Sequence, residues 1–299
     1  MYYAFEVFRT FKYFSDHFED VVMVEIFHDN FQNFKRYHIP KAQLVIADIP
    51  YNLGVKAYGS NPTWYVGGDR KNGESKNAKS TFFNGDGQFN LAEYMHFCNN
   101  MLIKEPKERG KAPAMIVFCA FEQIPTIVHY GKKHGFKNHY PIVFIKNYSP
   151  QVLKANMKIV GATEYAVVLY RNKLPKFNNY YNDKTNMIMN HFDWVRDNKN
   201  IYPKIHPTQK PVGLLKELIK IFTDENDVVI DPVAGSGSTL RACQELNRVG
   251  YGFETSLKFY KEAKDKMIVS DEDLKLDDIL SYKRPEKKKG TEIKVEERL

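Results

Sequence analysis

Residues 228 to 239, VVIDPVAGSGST, run from an apolar, β-branched stretch straight into a turn with glycines at 235 and 237. Such a turn allows close approach of backbone to a ligand, and a helix beginning near Ser238 would present N–H groups suited to a carboxylate or phosphate. A strand, glycine turn and helix in this order call for a parallel sheet around them. In most nucleotide-binding α/β folds the unit opens the chain, whereas here most of the sequence precedes it. Glu254 ends the next apolar run, VGYGFE, at the place where an acidic side chain commonly takes ribose hydroxyls. The pattern is G-x-G, with Leu240 where a dinucleotide fingerprint has its third glycine, and it lacks the lysine of a phosphate-binding P-loop. Taken alone, the motif also fits a purely structural glycine turn.

Ahead of that turn, strand and helix patterns alternate. VVMVEIF (Val21 to Phe27), QLVIAD (Gln43 to Asp48), AMIVFCAF, PIVFIK and EYAVVLY read as buried strands, followed late in the chain by DVVI and VGYGFE. Leu91, Tyr94, Met95, Cys98, Met101 and Leu102 share one face at helical spacing, as do Leu214, Leu215, Leu218, Ile219 and Phe222. Further helices are predicted near Ile124 to His134, after Ser238, and from Leu257 to Met267. PIVFIK and EYAVVLY have no long helix written between them and are expected to pair antiparallel. The result is an α/β fold: a doubly wound, seven-stranded, mostly parallel sheet with an antiparallel edge. Two polar stretches interrupt it, 52–90 and about 173–205. From Asp271 to Leu299 the chain is nearly all charged or polar and reads as a flexible tail on a domain of residues 1–270.

Composition narrows the function. With 299 residues, 43% of them hydrophobic, the chain can bury a sizeable core. It has no apolar run of the ~18 residues a membrane span needs, and its aromatic N-terminus is broken by Glu6, Arg9 and Lys12, unlike a signal peptide. Cys98, Cys119 and Cys243 lie far apart in apolar surroundings, which suggests buried thiols in a reducing cytoplasm. Neither they nor the nine histidines have metal-ligand spacing, so no metal is expected. The net charge of +8 favours a polyanionic partner.

ADIPYN places Asp48, Ile49, Pro50 and Tyr51 directly after a strand. Pro50 biases Ile49 away from helix, so the Asp48 carboxylate and the Ile49 carbonyl can both face a cleft beside the Tyr51 ring. Two acceptors and an aromatic platform suit the exocyclic amine of a base taken out of its stack. Together with HPTQKP (His206 to Pro211) and the later D-P-x-x-G-S-G-S-T, this tetrapeptide resembles the amino-methyltransferases of DNA in their β arrangement. In that arrangement the catalytic half precedes the cofactor half, a circular permutation that accounts for the late glycine turn. TEYAVVLYRNK also looks like the family's strand just before its target-recognition region. The resemblance covers about residues 21 to 268.

The resemblance implies a Rossmann-like methyltransferase fold with S-adenosyl-L-methionine as cofactor. Asp231, Pro232, Gly235, Gly237 and Thr239 match the cofactor loop, Glu254 the ribose-binding acid, and Thr208 and Lys210 the segment against the methionine end. Asp29, in IFHDN, stands where the family has Gly-Asp beside the adenine; His28 replaces the glycine, and capping of the next helix is the competing role for Asp29. Asp48, Ile49, Pro50 and Tyr51 match the catalytic tetrapeptide, with Ile49 acting through its carbonyl. Asp at the first position goes mostly with adenine, Ser with cytosine. The implied reaction is therefore methylation of adenine N6 in double-stranded DNA; cytosine N4 and a non-catalytic DNA-binding relic are the alternatives. The loop at 52–90, with Tyr58, Trp64, Tyr65 and several lysines, suits DNA contact, and 173–205 occupies the target-recognition position. A homodimer and a restriction endonuclease counterpart are further partners that the resemblance allows.

Overall fold

The β-branched runs form a single sheet of eight strands in a computed structural model that describes residues 24–51, 89–147, 151–154, 159–178 and 188–269. The aromatic N-terminus, nearly all of the 52–90 loop and the charged tail lie outside the described residues. In chain order the strands are β1 (Val24–Phe27), β2 (Leu44–Asp48), β3 (Ala114–Cys119), β4 (Asn138–Lys146), β5 (Gln151–Lys154), β6 (Ile159–Gly161), β7 (Thr163–Tyr170), β8 (His191–Trp194), β9 (Val228–Asp231) and β10 (Val249–Phe253). The helices are α1 (Leu91–Met101), α2 (Ile124–Lys133), α3 (Val212–Phe222), α4 (Ser238–Gln244) and α5 (Leu257–Glu262), the last continuing as a π-turn to Met267.

The order across the sheet is β1-β10-β9-β2-β3-β7-β4-β8, and β5 and β6 form a separate antiparallel pair. Within the eight-stranded sheet, the two pairings made by β7 are antiparallel and the rest are parallel. The expected doubly wound, mostly parallel sheet is therefore present, with β4 and β7 paired antiparallel as their sequences suggested. The strand count is corrected from seven to eight. His191–Trp194, inside the polar stretch read as loop, adds to the sheet edge parallel to β4 because Trp194 buries its ring there. Two alternating aromatics, Phe192 and Trp194, in a run of only four residues flanked by polar sequence are too short a pattern to mark a strand.

Alternation along each strand feeds two cores. Leu44 and Ile46 of β2, with Ala114, Ile116 and Phe118 of β3, face α3 and α4. Val45, Ala47, Met115 and Val117 point the other way, against Tyr94, Met95 and Cys98 of α1. Asn90 caps α1 by accepting hydrogen bonds from the Ala92 and Glu93 amides. Asp197 does the same for α3, accepting from the Val212 amide at 3.0 Å.

Close packing of α4 on the sheet depends on two glycines of β10. A Cβ on Gly252 would lie 2.9 Å from Ala234 Cβ and 3.0 Å from Leu240 Cδ1, and one on Gly250 would lie 3.1 Å from Cys243 Cβ. A side chain at either place pushes the glycine turn and its helix off the sheet. Gly252→Val is expected to destabilise the fold by about 2 kcal/mol through overpacking, read as a lower urea midpoint; an unchanged midpoint would show that α4 yields freely.

Candidate active site

Five strands bring their ends to one rim: the carboxyl ends of β2, β3, β4 and β8, and the start of the antiparallel β7. Their registers pair Asp48 with Phe118, Phe118 with Ala166, Phe144 with Glu164, and Lys146 with Trp194. Each of these strands carries its alternating core residues on the α3 side, so Asp48, Phe118, Glu164, Lys146 and Trp194 project from that same side. Lys210, in the segment before α3, reaches over the row. Its Nζ donates to Asp48 Oδ2 at 2.5 Å and lies 3.5 Å from Glu164 Oε2. Lys146 donates to Glu164 Oε1. The Lys210 ammonium sits between the rings of Tyr51, Phe118 and Trp194, 5.4 to 5.7 Å from their centres, and Lys146 lies 4.3 Å from that of Trp194.

Alternating charges thus occupy a rim whose lysines are buried and whose carboxylates are partly exposed. Burial raises the Asp48 pKa against the pull of Lys210. For Glu164 burial acts the same way, but Lys210 and Lys146 outweigh it and hold its pKa low. Burial opposes the charge on Lys210, yet the two carboxylates keep its pKa raised. Asp48 Oδ1 is buried and takes no hydrogen bond of normal geometry, although the Tyr51 side chain is near enough to stabilise the carboxylate slightly. The rest of the tetrapeptide is braced: Ile49 is buried, and Gln123 Nε2 donates to the Pro50 carbonyl at 3.0 Å while its Oε1 accepts from the Ala120 amide.

The glycine turn lies beside this rim because β9 pairs with β2. Thr239 Oγ1 donates to Asp231 Oδ2 at 2.6 Å, and the Val233 amide donates to Oδ1 at 3.1 Å; Pro232 is buried beside them. Gly235 and Gly237 both have left-handed backbones, with φ of 53° and 76°. Their constraints differ. A Cβ on Gly235 would meet nothing nearer than a carbonyl at 3.9 Å, whereas one on Gly237 would lie 3.1 Å from Ala263 Cβ, so Gly237 is fixed by packing beneath the turn. Glu254 accepts from the Gly235 amide at 2.9 Å and the Ser256 amide at 2.6 Å, and burial raises its pKa.

Asp29 follows the neighbouring edge strand β1. It accepts from Asn33 Nδ2 and the Asn30 amide at 2.7 Å and from the Tyr37 hydroxyl at 2.8 Å, with Asn33 the main cause of its lowered pKa. The cap of the following 3-10 turn is Asn30 rather than Asp29. Thr208 is exposed, and its hydroxyl lies 3.1 Å from His206 Nδ1; burial, then Lys210 and Lys204, push the His206 pKa down to about 4. A cleft of about 320 Å³ runs along β1, lined by His28, Tyr37, Tyr260 and Lys264 among others, and does not reach the Asp48 row.

The structure therefore gathers Asp48, Tyr51 and Lys210 around one rim and Asp231, Gly235, Thr239 and Glu254 around the adjoining turn. Reasoning from sequence missed Glu164, Lys146, Trp194 and Gln123. The signal for the first two was an acid opening one otherwise apolar strand and a lysine closing its neighbour, which an antiparallel register makes diagonal partners.

This architecture is that of a Rossmann-like methyltransferase in permuted order, and the family follows from comparison. A family model described as DNA methylase, of the N6/N4 type, matches residues 42–265, and the chain belongs to that family. It is similar to the type II methyltransferase M.HpaI of Haemophilus parainfluenzae, at 24% identity over 242 residues covering 75% of this chain and 67% of that protein. The DNA adenine methyltransferase YhdJ of Escherichia coli is 30% identical over 135 residues, 44% of this chain and 45% of its own. Among solved structures, the M1.HpyAVI–SAM complex superposes with a TM-score of 0.56 at 21% identity, covering 83% of this chain and 100% of that one, which speaks for the fold. Family membership makes S-adenosyl-L-methionine the cofactor. The residues present fit such a group: two acids, Asp231 and Glu254, flank an open left-handed glycine at the switch point between β9 and β2, and a buried acceptor, Asp48 Oδ1, stands beyond them. Among the described residues, no helix is long and apolar enough to cross a membrane.

The acid of the turn gives a direct test. Burial raises the Asp231 pKa from 3.8 to about 7, against the hydrogen bonds from Thr239 and Val233. The folded protein then keeps a proton that the unfolded chain has released, so this group makes stability fall as pH rises between those two values. Asp231→Asn is expected to flatten that slope in urea unfolding followed across the same range. An unaltered slope would assign it to other groups.

Proposed function

We propose that this protein transfers the methyl group of S-adenosyl-L-methionine to the exocyclic N6 of a flipped adenine in double-stranded DNA, at a specific site. The observation that carries the reading is the buried Asp48 Oδ1, which takes no hydrogen bond of normal geometry, on the residue before Ile49 and close to Tyr51, with the glycine turn following the adjoining strand β9. An aromatic amine is a poor nucleophile because its lone pair is delocalised into the ring. Hydrogen bonds from its two N–H groups to Asp48 Oδ1 and the Ile49 carbonyl would favour a more pyramidal nitrogen with an available lone pair, and Asp48 Oδ1 would take up the N–H proton released; the bound cofactor would supply a sulfonium methyl and leave as the neutral thioether. Tyr51 stacks on the extruded base. The chain's contribution is positioning and fixed electrostatics, with no covalent adduct to the base.

The cofactor-side roles follow the same reading. Glu254 takes the ribose, Asp231 and Thr239 border the methionine end from the turn, and Thr208 and Lys210 border it from the other side. Asp29 supports the adenine end through the Asn33–Tyr37 clasp. The basic chain, its 52–90 loop and the 173–205 region supply the DNA contacts on a methyltransferase domain of 1–270 followed by the 271–299 tail. Adenine is favoured by the aspartate at the first tetrapeptide position and by similarity to a relative whose name specifies adenine.

Two measurements test the proposal. Asp48→Ala removes an acceptor for the reacting amine, so methyl transfer should fall by at least ~100-fold while DNA binding in gel-shift titrations persists; near-normal turnover would make the tetrapeptide structural. The base is settled by digesting DNA methylated by the protein to nucleosides and resolving them by mass spectrometry. N6-methyladenine is expected. N4-methylcytosine in its place would overturn the choice of base, and no methylated nucleoside at all would favour the non-catalytic relic.

A further inference from the structure

We propose that Glu164 and Lys146 are positioning residues for methyl transfer, dividing the single Lys210 ammonium between two carboxylates and so setting both the charge and the orientation of Asp48. The inference rests on the proposed role of Asp48 as acceptor for the target amine.

Lys210 is 6% exposed and Lys146 7%, and each has a carboxylate in contact. Lys210 Nζ lies 2.5 Å from Asp48 and 3.5 Å from Glu164, so the shared cation sits towards Asp48. Lys146 occupies the far side of Glu164 and keeps that carboxylate from drawing Lys210 fully across. The order along the rim is Asp48, Lys210, Glu164, Lys146, ending against Trp194. With Oδ2 of Asp48 held by Lys210, Oδ1 is the oxygen left to receive an amine. Two acids and two bases make the row neutral, which lowers the penalty of desolvating it without making it a stability device.

Other groups face the row as well. Asp231, from β9, has its pKa raised by burial first, with repulsion from Asp48 adding to it, and the Cys119 thiol of β3 is pushed up to about 12, by burial first and by Asp48 second. Lys204 and His206, in the same segment as Lys210, face that lysine; His206 is neutral near pH 7. Tyr51 lies beside Asp48. Among the described residues, Glu164 is the carboxylate in contact with both Lys210 and Lys146. Changing either end of the row therefore has opposite effects on Asp48. Glu164→Gln removes a repelling charge and leaves Lys210 wholly to Asp48, so the Asp48 pKa falls. Lys146→Gln lets Glu164 claim Lys210, so the Asp48 pKa rises.

The test uses the full-length protein in two readouts. The first is the carboxyl carbon resonance of Asp48 in 13C-aspartate-labelled protein, assigned by its loss in Asp48→Asn and followed against pH. The second is the acid limb of single-turnover methyl transfer to DNA. Both should move down in Glu164→Gln and up in Lys146→Gln, by roughly one pH unit each, while Lys146→Arg stays near wild type. Shifts in the same direction, or none, overturn the inference. Glu164→Gln, nearly isosteric, decides the matter by itself should the lysine variant fail to fold. If the resonance moves as stated but wild-type protein methylates no DNA, the row stands as described and the proposed activity fails; transfer without the opposed shifts leaves the activity standing and removes the row.

Discussion

The parallel pairing of β2 with β9, through Leu44 with Val229 and Val45 with Ile230, is the contact on which the site depends. These strands are far apart in sequence, and each delivers an aspartate to its carboxyl end, Asp48 on one and Asp231 on the other. The strands that follow each member of this pair are added on opposite sides. β10 and β1 extend the sheet one way and β3 the other, which leaves a crevice at their ends. The late position of the glycine turn follows directly: its strand is central in space although nearly last in the chain. Without that pairing the two motifs would be unrelated turns.

Opposed electrostatic demands meet at the crevice. A carboxylate accepts hydrogen bonds most strongly when ionised, yet burial, which strengthens those bonds, also favours its neutral form. Burial raises the pKa of Asp48 and of Asp231, and the protein answers the two cases differently. Asp48 receives a full cation, Lys210. Asp231 receives only the neutral donors of Thr239 and Val233, and its pKa remains near 7.

Much of this was legible in the chain. The tetrapeptide, the hexapeptide and the glycine turn are local in sequence, and each strand before them is a short apolar run whose burial needs no tertiary knowledge. The antiparallel pairing of PIVFIK with EYAVVLY also followed from the missing helix. What escaped reading depends on register across the sheet. Glu164 and Lys146 meet only because β7 runs against β4 with Phe144 opposite Glu164. The lysine of HPTQKP was seen as a neighbour of the cofactor, but its contact with Asp48, 162 positions away, has no sequence signature. Gly237 shows the same limit: the pattern marks a glycine, while only packing against Ala263 says why.

Trp194 shows how reach across the sheet joins regions that the sequence kept apart. It belongs to the polar stretch assigned to target recognition, yet β8 sets it beside Lys146 in the rim, with its ring against both lysines of the charged row. The flanking residues Val195, Arg196 and Lys199 are exposed. β8 is a four-residue strand at the edge of the sheet, held by one neighbour, and is less constrained than the interior strands. Whatever displaces it also changes how well Lys146 is covered, and the ion–ring contact weakens steeply once water enters. The edge strand thereby places the surface next to the row and the balance of charge within it on one short piece of backbone.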